Sequence, residues 1–266
     1  MCRWTAYFGD PIYLEDVILT PSHSLIRQSL HCREGASATN GDGFGVGWYG
    51  DRDEPGLYRE VLPAWNDMNL RNLSHQLKSR LFFAHVRAST GTATTRANCH
   101  PFAHGKWLFM HNGQIGDYEK VRRTLEGRLD DRFYTARLGT TDSELMFLLM
   151  VQNGLDHDPA GAIVATIAEI SGICSQCGID APFRLTICLS DGRGLYACRH
   201  ATDNQPPSLY WRKTGRGTFI VSEPIDGELD CWHKVPADTL LTLNGGLDMQ
   251  PLFAQSSGND MLAVPA

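Results

Sequence analysis

Short apolar segments rich in β-branched and aromatic residues recur along the chain, which is the pattern of buried strands. They predict six strands, at 44–49, 81–86, 107–111, 184–190, 218–222 and 239–243. Apolar positions at helical spacing predict one helix that begins at Asp142 and another over 159–170. The apolar side of the first is formed by Leu145, Met146, Leu148 and Leu149. A weaker helix covers 68–78, and the small, polar tail 251–266 is expected to be a loop or disordered.

The order of these elements indicates the fold class. Several predicted strands follow one another directly in the last third of the chain, whereas a doubly wound parallel sheet needs helices between its strands. The pattern therefore favours an α+β layered sandwich with mostly antiparallel sheets. No internal repeat, low-complexity tract or long linker interrupts the sequence, so we expect one domain over residues 1–266.

Composition narrows the choice of partners and compartment. A hydrophobic fraction of 42% in 266 residues is enough for a full core, and a formal net charge of -6 provides no basic surface for nucleic acid or anionic lipid. No apolar run reaches the roughly 18 to 20 residues that span a bilayer, and the N-terminal segment lacks the features of a signal peptide. We therefore expect a cytoplasmic protein whose eight cysteines stay reduced.

Cys2 follows the initiator methionine, and a small second residue favours removal of Met1. A chain beginning at Cys2 would carry an α-amine of pKa about 7.7 to 8.0 within reach of its own thiol. One residue would then supply both the nucleophile and its base. Taken alone, Cys2 is more often an ordinary residue of a first strand, so the catalytic interpretation depends on motifs further along the chain.

Three later motifs supply groups that an acyl-transfer site needs, although each also has a plain structural interpretation. Arg87 ends an apolar strand and could hold a carboxylate with its planar fork, or be a surface arginine. Asn112 and Gly113 could direct two donors at one oxyanion, or form a turn. Asp142 could pair with an ammonium, or cap its helix. The glycine-rich segment 40–48 would allow close approach of a neighbouring backbone or a ligand.

Three other patterns carry less weight. Residues 45–50 match the dinucleotide pattern G-x-G-x-x-G, but a turn at 51–56 stands where that motif requires a helix. The pair Cys174 and Cys177 lacks the second close pair of a zinc site and is interpreted as structural. Cys99 and His100 are too close in sequence for a papain-like dyad.

In six ordered segments the chain resembles the class II glutamine amidotransferases: MCR at 1–3, DGFG at 42–45, HVRAST at 85–90, HPF at 100–102, HNGQ at 111–114 and TDSE at 141–144. The segments SEP at 222–224 and VP at 235–236 extend the likeness toward the C-terminus. Within that family the chain is most similar to small stand-alone members, related to the γ-glutamyl hydrolase of ergothioneine synthesis and the amidotransferase-like component of glutathione breakdown.

The resemblance implies a four-layer αββα sandwich of two antiparallel sheets, the fold of the N-terminal-nucleophile hydrolases. It also implies a role for each matching residue. Cys2 would be the nucleophile, and the Asn112 side chain with the Gly113 N–H would form the oxyanion hole. Arg87 would bind the substrate α-carboxylate and Asp142 its α-ammonium. The pocket would be lined or braced by Ser89, Thr90, His85 and His111. No metal and no cofactor are expected.

The implied activity is hydrolysis of the γ-amide of glutamine or of another small γ-glutamyl compound through a γ-glutamyl thioester, releasing ammonia or an amine. The alternative is a non-catalytic γ-glutamyl-binding module, or an ammonia-supplying subunit that depends on a separate synthase. Association as a homo-oligomer also remains open. The mass of the N-terminus distinguishes the hydrolase from the non-catalytic alternatives, because a retained Met1 would block the α-amine that the reaction needs.

Overall fold

A computed structural model of the chain describes residues 2–34, 39–89 and 91–253. The strands, in chain order, are β1 Arg3–Tyr13, β2 Phe44–Trp48, β3 Gly56–Glu60, β4 Lys78–Val86, β5 Phe102–His104, β6 Trp107–Gln114, β7 Arg184–Ser190, β8 Leu195–Ala201, β9 Tyr210–Lys213, β10 Gly217–Val221, β11 His233–Lys234, β12 Thr239–Leu243 and β13 Leu247–Pro251. The helices are α1 Glu15–Ile18, α2 Leu25–Leu30, α3 Met68–Gln76, α4 Tyr118–Glu126, α5 Asp131–Ala136, α6 Asp142–Gln152 and α7 Pro159–Gln176.

The strands form two sheets in which neighbouring strands pair antiparallel. The first has the order β11-β9-β10-β1-β4-β2-β3 and the second the order β13-β12-β8-β7-β6-β5. In the first sheet, Arg3 lies opposite Val86 and Trp4 opposite His85. This register brings the beginning of β1 next to the end of β4, the two strands at its centre.

Both faces of the central strands are buried, so their side chains alternate between two cores. Trp4 and Phe83 of the first sheet pack with Leu108 of the second in a core between the sheets. Tyr7 and Phe82, on the opposite face of the first sheet, pack against α1, α2 and α3. The outer face of the second sheet packs in the same way against α4 to α7. The result is the four-layer αββα sandwich that the resemblance implied.

Several element boundaries differ from the sequence predictions. Strands β7 and β12 have the predicted bounds, and α6 begins at Asp142, but α7 continues past 170 to Gln176. The weaker helix is shorter than predicted, because α3 ends at Gln76 and Lys78 already belongs to β4. The predicted tail begins at Pro251, which ends β13, and its residues after 253 lie outside the described part. None of the described helices is long and apolar enough to cross a membrane.

Candidate active site

A cavity of about 580 Å³ opens where four segments converge. These segments are the start of β1, the residues that follow β4, the end of β6 and the start of α6. Seven of the nine predicted site residues line the cavity, namely Cys2, Arg87, Ser89, His111, Asn112, Gly113 and Asp142. Of the other two, His85 is not among the lining residues and Thr90 lies outside the described residues.

Cys2 lies beside the backbone that follows β4, because β1 and β4 are paired up to Arg3 and Val86. The Ala88 N–H donates to Cys2 Sγ at 3.4 Å, and the thiol lies 3.6 Å from Ala88 O. Burial raises the pKa of the Cys2 thiol, and the Ala88 backbone and the Arg87 charge oppose this only in part. The thiol is therefore protonated at neutral pH, and an attack by its sulfur needs a base to take the proton.

The Arg87 side chain is buried, with 3% of the residue exposed, and its partners are all uncharged. Nη1 donates to Asp42 O at 3.3 Å, while Nη2 donates to Ser89 Oγ at 3.2 Å and to Thr92 Oγ1 at 2.6 Å. Ser89 is itself fixed by Asp42, whose Oδ2 accepts from the Ser89 N–H at 2.7 Å. Within the described residues, no carboxylate forms an ion pair with Arg87. A buried guanidinium that is fixed by hydrogen bonds but has no ion-pair partner is suited to a carboxylate ligand.

Asn112 and Gly113 lie within β6, which continues to Gln114, so the interpretation of this pair as a turn is wrong. Asn112 is 2% exposed, and its Nδ2 has no hydrogen-bond partner among the described atoms. Gly113 has φ +139°, and a Cβ at this position would lie 2.0 Å from Arg184 O. A buried amide donor with no acceptor, on the wall of a cavity, is suited to an oxyanion.

Asp142 is the first residue of α6, and the helix is capped instead by Thr141, whose Oγ1 accepts from the Glu144 N–H at 3.2 Å. Helix capping therefore does not explain Asp142. Its Oδ2 accepts from the Ile115 N–H at 2.9 Å, and its Oδ1 accepts from Ser143 Oγ at 3.2 Å. These bonds fix the carboxylate at the end of β6. No side-chain cation pairs with it within the described ranges, so it is suited to an ammonium.

The histidines lie at different depths. His111 lines the cavity, and its Nδ1 is 2.8 Å from Ser143 Oγ. His85 lies behind it, with Nε2 at 3.4 Å from His111 O and its ring stacked on His100 at 4.2 Å. Burial lowers the pKa of His85 to about 3 and also lowers the pKa of His111, so both rings are neutral. His85 therefore lies behind the cavity wall and does not line the cavity itself.

The glycine-rich segment 40–48 provides space for the chain that carries His100. A Cβ at Gly45 would lie 2.3 Å from His100 O, and one at Gly43 would lie 2.6 Å from Cys99 Sγ. The expected close approach of a neighbouring backbone is thus present. His100 lines the cavity, although it is not one of the nine predicted site residues. The Cys99 thiol lies 3.4 Å from Thr95 O and 3.5 Å from Glu60 O, so it forms no dyad with His100.

The rest of the cavity wall has a mixed polar character. It includes Tyr118, Lys120, Arg184 and Pro207. The Tyr118 hydroxyl accepts from Arg137 Nη2 at 3.0 Å, and Arg184 forms an ion pair with Asp203 at 2.5 Å. In the part of the chain that the structure describes, no three His, Cys, Asp or Glu side chains are grouped as metal ligands.

Comparison with known proteins defines the class. The family model of the class II glutamine amidotransferases matches residues 16–207, which is more than half of the chain. The chain therefore belongs to the class II glutamine amidotransferases, a family of enzymes, as the six sequence segments indicated.

Particular relatives cover most of the chain. The probable glutamine amidotransferase DUG3 of Saccharomyces cerevisiae is 31% identical over 91% of this chain and 82% of its own length. The gamma-glutamyl-hercynylcysteine sulfoxide hydrolase of Mycolicibacterium smegmatis is 30% identical over 89% of this chain and 92% of its own length. The solved structure of a glutamine aminotransferase class-II domain protein from Silicibacter pomeroyi is 40% identical, covers 95% of this chain and 100% of its own, and has a TM-score of 0.76.

Proposed function

We propose that the chain hydrolyses the γ-amide of glutamine or of a related γ-glutamyl compound, with Cys2 as the nucleophile. The observation that carries the proposal is the convergence on one cavity of a thiol, a guanidinium and a carboxylate that each have no ion-pair partner among the described residues, and a buried amide donor. The names of two relatives, a glutamine amidotransferase and a γ-glutamyl hydrolase, support the same substrate class.

The γ-glutamyl head of the substrate fits the charges on the cavity wall. Its α-carboxylate pairs with Arg87, and its α-ammonium pairs with Asp142. With the head held at both charges, the γ-carbonyl extends to Cys2, and its oxygen accepts from Asn112 Nδ2 and the Gly113 N–H. Ser89 and His111 contribute indirectly. Ser89 orients Arg87, and His111 orients the segment that carries Asp142. Thr90 lies outside the described residues, and its role stays a prediction.

The reaction proceeds in two halves, after Met1 has been removed and the Cys2 α-amine is free. The sulfur bonds to the γ-carbon while the thiol proton moves to the α-amine, which gives a tetrahedral oxyanion. The C–N bond then breaks, and the leaving amine or ammonia takes that proton. Water attacks the resulting γ-glutamyl thioester while its proton moves to the α-amine. The C–S bond then breaks to release glutamate, and that proton returns to the sulfur, which restores the thiol and the neutral amine.

The first test is intact-protein mass spectrometry before and after treatment with a diazo-ketone analogue of glutamine. The expected result is a mass without Met1 and a single adduct on Cys2. The Cys2→Ala variant should take no adduct and lose turnover while it keeps its melting temperature. Cys177→Ala is the control, because Cys177 is an exposed thiol outside the cavity.

Two outcomes would count against the proposal. Turnover by Cys2→Ala at the wild-type rate would exclude Cys2 as the nucleophile. A retained Met1 with no adduct would favour a binding module that depends on a separate partner. We further propose a reducing, cytoplasmic compartment for the reaction, which is supported by the buried free thiols of Cys99, Cys188 and Cys198.

A further inference from the structure

Arg3 directly follows Cys2, and its side chain is fully buried although it is charged. In β1, Trp4 faces the core between the sheets, so Arg3 lies on the opposite face, toward the helices. Its Nη1 donates to Cys2 O at 2.9 Å, and its Nε forms an ion pair with Glu223 Oε2 at 3.0 Å. Arg3 is not among the residues that line the cavity. It therefore contacts Cys2 from behind and has no access to the substrate.

Glu223 follows β10, the strand next to β1, and is 1% exposed. Its carboxylate accepts from the Arg33 N–H at 2.9 Å and the Glu34 N–H at 3.0 Å, and it lies 2.5 Å from His23 Nε2. Burial alone would raise the pKa of Glu223, but these contacts and Arg3 together lower it. Glu223 is therefore an ionised and well-held anchor for the Arg3 guanidinium.

Stability alone is a poor explanation for this pair. Removing two charges from water costs several kcal/mol per ion, and buried ion pairs can often be replaced by apolar residues without loss of stability. A chain that begins at Cys2 has a different need, since a terminal residue is attached on one side and tends to fray. The Ala88 backbone contacts the Cys2 thiol, and Arg3 holds the Cys2 carbonyl, so the residue is fixed at two points.

We propose that Arg3 and Glu223 are positioning residues for the nucleophile. The guanidinium fixes the carbonyl of Cys2, and thereby the direction of its thiol and α-amine relative to the oxyanion donors. Glu223 fixes the guanidinium through the ion pair. This inference rests on the proposed function, in which Cys2 is the nucleophile.

The test compares Arg3→Met, Arg3→Lys and Glu223→Gln with the wild type on γ-glutamyl-p-nitroanilide. Misplacing a reacting group by about 1 Å can cost about 100-fold in rate, so we expect kcat to fall at least about tenfold in Arg3→Met and Glu223→Gln. KM should stay within about twofold, because the groups that bind the substrate head are unchanged. Arg3→Lys should recover part of kcat, because an ammonium can hold the carbonyl or the carboxylate but not both. The rate of Cys2 labelling by the diazo-ketone at saturation should follow kcat.

Arg212→Met is the matched control. Arg212 lies in the same sheet and forms ion pairs with Asp226 and Glu228, and it is not among the cavity-lining residues. Its loss should lower the melting temperature and leave kcat unchanged. All rates are normalised to the folded fraction taken from the melting curve of each variant.

The outcomes separate this inference from the proposed function. A wild-type protein that neither turns over nor takes an adduct at Cys2 would refute the proposed function itself. An active wild type with folded Arg3→Met and Glu223→Gln variants of unchanged kcat would overturn the positioning role alone. If neither variant folds, the pair is a folding determinant and the positioning role is equally overturned.

Discussion

Replacing Asn112 by alanine should separate activity from stability. The side chain is 2% exposed, and its Nδ2 has no partner among the described atoms of the free protein. In the proposed reaction this nitrogen donates to the oxyanion, so its bond forms fully only in the transition state. The substitution therefore removes a hydrogen bond that this nitrogen makes only during the reaction. The folded, unliganded protein loses no hydrogen bond of this nitrogen.

The expected changes in kcat and in stability follow from the absence of this hydrogen bond in the free protein. Loss of one oxyanion donor typically lowers kcat by about 10² to 10³, which is about 2.7 to 4 kcal/mol of transition-state stabilisation. A buried polar group without a partner costs about 1 to 3 kcal/mol of desolvation, and alanine removes this cost. We therefore expect Asn112→Ala to keep or raise the melting temperature while kcat falls and KM changes little.

Asn153→Ala provides the opposite pattern as a control. The Asn153 amide donates to Thr166 Oγ1 at 3.0 Å and to Glu169 Oε2 at 3.3 Å, in the helical layer away from the cavity. Its loss should lower the melting temperature and leave kcat unchanged. Steady-state kinetics with γ-glutamyl-p-nitroanilide and thermal melting monitored by circular dichroism measure both quantities. A kcat of Asn112→Ala within about threefold of the wild type would refute the oxyanion role.

Three further predictions concern neighbouring residues. Arg87→Lys keeps the charge but loses the planar fork, so KM should rise about tenfold or more with a smaller change in kcat, measured by steady-state kinetics. Gly113→Ala places a Cβ 2.0 Å from Arg184 O, so melting should show a large loss of stability together with lost turnover. The pKa of His85 is about 3 in the folded protein and near 6.5 in the unfolded chain. The stability that depends on the neutral ring is therefore fully present above pH 6.5 and is lost as the pH falls toward 3. The free energy of unfolding falls by up to about 1.4 kcal/mol per pH unit in this range. His85→Phe should flatten the fall in unfolding free energy over that range, and an unchanged slope in denaturant titrations would contradict this.

The candidate site was predictable where its chemistry coincides with the ends of apolar segments. Arg87 directly follows β4, Asp142 begins α6, and Asn112 lies near the end of β6. Such positions of neighbouring elements meet at one rim of the sandwich. The distance of a side chain from the cavity surface was not predictable in the same way. His85 lies only two residues before Arg87, yet it is buried behind the cavity, because it pairs with Trp4, a residue of the core between the sheets that is distant in sequence.

The unpredicted parts of the fold depend on distant contacts. Strand β1 includes Arg3, Thr5 and Asp10, which break the apolar run that marks a buried strand. The buried Arg3 forms an ion pair with Glu223, which lies 220 positions away in sequence. At the start of β4, Ser79 is accommodated because its hydroxyl donates to Tyr49 O at 2.7 Å. Local propensity contains no information about such partners, so these segments appear polar and irregular in the sequence.

The distribution of polar groups along the cavity indicates where specificity lies. Arg87 and Asp142 match the two charges of a glutamyl head, and both are held by short bonds to backbone or hydroxyl groups. The wall formed by Tyr118 and Lys120 has no comparable pair of unneutralised charges, because Lys120 already pairs with Asp117 at 2.7 Å. Under the proposed function, the acyl group would be selected by charge, whereas the leaving group would be selected by the shape and hydrogen bonding of the remaining wall. Under the proposed function, substitutions on that wall should change which γ-glutamyl compound is cleaved without changing the chemistry at Cys2.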